Sequence, residues 1–99
     1  MSVKVINGDL YIILQEVKDD VLVSYKLDNG AEMDFIDDEL VQIILPNFES
    51  QLGRGALDSV PIKLLNSQFV DDNKLILSIQ IINDSINITL DCSSIQGKI

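Results

Sequence analysis

Carboxylates dominate the chemistry open to this chain. Sixteen Asp and Glu face seven Lys and Arg, His is absent, and the formal net charge is −9. Paired carboxylates can work as general acid and base. The side chain that most often does so near neutral pH, imidazole, is missing altogether. Acidic enzymes acting on sugars also tend to present aromatic platforms, and here aromatics are 5% with no Trp. The one thiol, Cys92, has no His to activate it, so it reads as packed rather than nucleophilic. No enzyme activity is expected.

Metal and phosphate chemistry find little more. No Cys/His pattern with zinc spacing exists. Asp71-Asp72-Asn73 and Asp28-Asn29-Gly30 resemble fragments of calcium loops, without the EF-hand ligand spacing or its terminal Glu. Asp, Asn and Gly are also the ordinary vocabulary of turns, and that reading is preferred. Gly53-Arg54-Gly55 is not a Walker loop, and a net charge of −9 repels anions in bulk. Catalytic residues, metal ligands and a cofactor site are therefore not expected. Direct nucleic-acid binding is disfavoured for want of a basic footprint.

Two groups of residues remain as candidates for binding another protein. The first is acidic: Asp19, Asp20, Asp37, Asp38 and Glu39. The second is a stretch without periodicity between Pro46 and Pro61, carrying Phe48, Leu52, Leu57 and the single arginine, Arg54. Apolar side chains with an Arg are what interface hot spots use. The competing reading is that Phe48, Leu52 and Leu57 tuck under the fold or form a short helix.

The elements that must position these residues are mostly strands. Ile is the commonest residue with 15, followed by 13 Leu and 8 Val, against two Ala. β-Branched side chains suit a pleated surface better than a helix. Val3 to Ile6 and Leu10 to Val17 flank Asn7-Gly8, a strong hairpin signal. Val21 to Leu27 alternates cleanly, and Asp28-Asn29-Gly30 leads to Ala31 to Ile36, where Ala31, Met33 and Phe35 oppose Glu32 and Asp34. Over residues 37–45 the spacing of Leu40, Ile43 and Ile44, with Asp37 as N-cap and Pro46 as terminator, predicts a short helix. A strand over Leu40 to Leu45 is the alternative, because Val and Ile fill the run. Ile62 to Val70, Lys74 to Ile82 and Ile86 to Asp91 complete the set, and residues 92–99 read as a loose tail.

The expected fold is mainly β: about seven antiparallel strands in a single domain over residues 1–99, as a small sandwich or partly closed barrel, with one short helix near 37–45. Each strand has one apolar face, and one helix cannot cover them all. The two meanders must cover each other, or a homodimer partner must. In a meander, the Lys18-Asp19-Asp20 turn and Asp37-Asp38-Glu39 fall at the same end of the first sheet. Five carboxylates then share one rim.

Such a rim suits docking onto a basic surface of a partner protein. The leading expectation is a non-enzymatic acidic protein-binding module, of the inhibitor, immunity or phage counter-defence type by class analogy. The alternatives are a small-ligand-binding or sequestering β domain, and a structural subunit of a larger assembly that oligomerises or exposes a long apolar edge strand. The longest apolar run, Leu10 to Leu14, is far too short to cross a membrane as a helix. Asn83-Asp84-Ser85 and Asn87-Ile88-Thr89 match the glycosylation tripeptide by chance, and a lone cysteine fits a reducing compartment, so a cytoplasmic location is expected.

Overall fold

A computed structural model describes residues 2–16, 21–53, 60–71 and 73–93. Eight strands and one helix follow in order: β1 (Ser2–Ile6), β2 (Asp9–Ile13), β3 (Val23–Lys26), β4 (Glu32–Ile36), β5 (Glu39–Leu45), α1 (Phe48–Leu52), β6 (Ile62–Asp71), β7 (Lys74–Ile81) and β8 (Asp84–Asp91). They form two antiparallel sheets, ordered β1-β2-β5-β4-β3 and β6-β7-β8. The mainly β, sandwich-like expectation holds, and the sheets do not close into a barrel.

Residues 37–45 are not helical. Asp37 and Asp38 both take positive φ, 51° and 67°, between Ile36 and Glu39, which pair with each other. That is a two-residue hairpin loop of the kind that needs positive φ at both positions. Asp serves such a turn as readily as it caps a helix. Once the turn forms, β5 can lie between β2 and β4, and its β-branched residues prefer that pleated site to a helix. The helix sits later, at Phe48–Leu52. Asn47 enters it at φ 56°, and Gly53 closes it at φ 68°, its N–H reaching the carbonyls of Glu49 and Ser50.

The first sheet is also not a plain meander. β5 inserts beside β2, pairing Ile13 with Gln42 and Leu10 with Leu45. β3, β4 and β5 are joined by hairpins and β2 lies beside β5, which is the strand order of a Greek key. The Asn7-Gly8 turn is as the sequence indicates, with φ 53° and 85°. At Asp28-Asn29-Gly30 the Leu27 N–H bonds the Ala31 carbonyl, and Gly30 takes φ 89°.

The core lies between the sheets. Leu10, Ile12, Met33 and Ile43 meet Leu75, Leu77, Ile79, Ile81 and Leu90, all buried. Burying such a side chain contributes roughly 1.5–3 kcal/mol. Cys92 joins them, its Sγ 3.7 Å from Met33 Sδ across the sandwich. α1 adds Phe48 to the core and is held to the first hairpin: the Glu49 N–H bonds the Gly8 carbonyl, and the Asn47 N–H bonds Asp9 Oδ1. Among the described residues, no helix is long and apolar enough to cross a membrane.

Candidate partner-binding site

The acidic end of the first sheet is built by the β4–β5 hairpin. Asp37, Asp38 and Glu39 are all exposed there. β2 leaves the sheet and β3 enters it at this same end, opposite the Asn7-Gly8 and Asp28-Asn29-Gly30 turns. Asp19 and Asp20, expected to join the rim, lie outside the described residues.

Beside the two aspartates is a hollow of about 280 Å³ lined by Val23, Tyr25, Phe35, Asp37 and Asp38. Its origin is a mismatch in width. At about 4.8 Å per strand, three strands cannot cover five. β6 runs beside β1, which biases the smaller sheet toward that edge and leaves the inner face of β3 open. Register shows which side chains fall there, since Val23 pairs with Phe35 and Tyr25 with Met33. Tyr25 and Phe35 meet edge to face with centroids 5.7 Å apart. Val23 is 47% exposed, and the preceding Val21 and Leu22 are 84% and 39% exposed. Alternation in the sequence correctly puts Val23 and Tyr25 on the inner face. What it lacks is any signal of how far the opposing sheet reaches.

The second group is split. Phe48 is buried in the core, so its ring faces the protein interior and not a partner. The sequence alternative of tucking under the fold in a short helix describes it. Leu52 is half-buried, while Arg54 and Leu57 lie outside the described residues. Leu52 lines a cleft of about 230 Å³ between α1, the end of β5 and the inner face of β8. The polar side chains there are Asn29, Gln51 and Asn87. Each already holds an internal hydrogen bond: Asn29 Oδ1 from the Ala31 N–H, Gln51 Nε2 to the Pro46 carbonyl, and Asn87 Oδ1 from the Ser78 hydroxyl. A small-ligand site needs polar groups that converge on the ligand, and one end of each of these is engaged internally.

One buried acid escaped the sequence reading. Asp34 is only 2% exposed, although alternation sets it on the face away from the core. Gln42, directly across on β5, donates Nε2–H to Asp34 Oδ2 at 2.9 Å. Oδ1 is buried with no hydrogen-bond donor found for it among the described residues. Glu32, two residues along on the same face, has its pKa raised. Burial is the main cause, followed by its hydrogen bond to Asp34 and the Asp34 charge, with Lys26 opposing. The available signal was two acids at i and i+2 facing a Gln.

The other titrations fit structural roles. Burial, then the Asp91 charge, pushes the Cys92 thiol up, which keeps it protonated and unreactive. Hydrogen bonds from Ser93 lower Asp91. At the turns, Asp71 Oδ1 accepts the Asn73 N–H at 2.7 Å, the local bonding that makes Asp a turn former. No family model, curated protein or solved structure matches the chain.

Proposed function

We propose that this protein is a non-enzymatic acidic protein-binding module that works in the cytoplasm, of the inhibitor, immunity or counter-defence kind. It docks a basic partner surface through the end of the first sheet. One observation carries the reading: a hollow lined by Val23, Tyr25 and Phe35 is rimmed directly by Asp37 and Asp38. Apolar contact supplies affinity at the centre of an interface, and charges at its rim steer approach and select the partner. A net charge of −9 reinforces attraction to a basic surface at long range.

The test is capture from the native host with wild-type protein beside a D37K/D38K variant, followed by kinetics on the purified pair. Wild type should retain a partner that the charge-reversed variant loses, and the association rate should fall steeply with added salt. Capture that survives D37K/D38K, or association indifferent to salt, refutes docking at this end. The cleft beside α1 supports the small-ligand alternative less well, because its polar side chains are engaged internally.

A further inference from the structure

β6 is the longest strand of the molecule, ten residues from Ile62 to Asp71, and lies at the edge of its sheet. No described strand pairs with its outer side. Its first residues run beside β1, with Ser2, Val3, Ile62, Lys63 and Leu64 around a shared hollow. From Leu65 onward every residue is exposed, and Leu65, Phe69 and Val70 are 53%, 46% and 56% exposed. An edge strand that is long and apolar is a template for pairing unless charge, Pro or distortion blunts it. Two register shifts fall within β6, and between them Asn66 to Phe69 keeps a regular ladder with Ser78 to Leu75.

The charge pattern selects the occupant. In a chain of net charge −9, the stretch from Leu64 to Val70 has no charged residue. It is closed by Lys63 at one end and Asp71 at the other, both exposed. Antiparallel pairing of two such strands brings Lys63 of one copy toward Asp71 of the other, at both ends of a two-fold interface. A second copy therefore meets an uncharged strip, apolar at Leu64, Leu65, Phe69 and Val70, with complementary ends, where the net charge elsewhere would repel it. We propose that β6 pairs antiparallel with β6 of a second copy, joining two three-stranded sheets into one six-stranded sheet. This interface is separate from the acidic end, and either can hold without the other.

Sedimentation equilibrium of the full chain, from low to high micromolar concentration, tests it. Wild type should populate a dimer as concentration rises. K63D and D71K alone each place like charges together at both junctions and should weaken dimerisation about tenfold or more at low salt. The K63D/D71K double variant should restore it. L65K should also give monomer, with circular dichroism and melting temperature close to wild type, because Leu65 is exposed in the free subunit. A wild type that stays monomeric throughout, single variants that dimerise normally, or a double variant that fails to recover overturns the proposal.

Discussion

Replacing Glu32 with Gln should make this protein more stable at neutral pH. Asp34 Oδ2 is served by Gln42 at 2.9 Å, while Oδ1 is buried with no donor among the described residues. Glu32 can donate to the Asp34 carboxylate only by holding a proton, and burial first, then that hydrogen bond and the Asp34 charge, raise its pKa. A raised folded-state pKa means the native state binds this proton more tightly than the unfolded chain. The stabilisation is complete below the ordinary value of 4.5 and is lost as pH rises through the folded value. Above the folded value Glu32 is charged and meets the Asp34 charge that opposes its ionisation. A Gln amide donates N–H without a proton and carries no charge. Leaving a buried polar atom unpaired costs about 1–3 kcal/mol. Glu32 is half-exposed, so solvent screening sets the expectation at the low end, about 1 kcal/mol. That corresponds to a rise in melting temperature of roughly 4–8 °C for a domain of this size. Urea and thermal unfolding followed by circular dichroism, at pH values from neutral down toward 4.5, give the measurement. E32Q should exceed wild type at neutral pH, with the gap closing as acid protonates Glu32. A gap that does not change with pH, or a variant no more stable than wild type at neutral pH with an unchanged denaturant slope, refutes the shared-proton account.

Three further outcomes follow from the same packing. Q42L removes the amide that donates to Asp34 Oδ2 and should cost about 1–3 kcal/mol, read as a lower urea midpoint at constant slope. Ile82 is a β-branched residue at φ 57° in the β7–β8 turn and is 52% exposed, so I82G should relieve strain of about 1 kcal/mol and raise the melting temperature. Cys92 is fully buried, and a thiol-reactive dye should label native protein far more slowly than protein in urea; equal rates would contradict the packing around Met33.

Much of the sheet framework was legible before any coordinates. Alternation of Leu75, Leu77, Ile79 and Ile81 marks the inner face of β7, and Asn7-Gly8 marks the β1–β2 hairpin, because both signals depend on neighbours within a few residues. Residues 37–45 show where that locality fails. Leu40, Ile43 and Ile44 fit a helical face, and only the slot between β2 and β4, set by residues distant in sequence, makes them a strand. The site was legible in part for the same reason. The acids of the β4–β5 turn announce themselves as Asp37, Asp38 and Glu39. The exposure of Val23 and the burial of Asp34 and Phe48 depend on what lies opposite, which no local pattern encodes.

The distribution of edges carries a consequence for how this protein can change over time. β5 and β7 are paired on both sides and hold the buried side chains, whereas β3 and β6 are each paired on one side. Every strand residue among the exposed large apolar side chains lies on β1, β3 or β6, the outer members of their sheets. A substitution on β3 or β6 disturbs a single ladder and little of the core. The molecule thus has margins that can be rewritten while the central strands stay as they are.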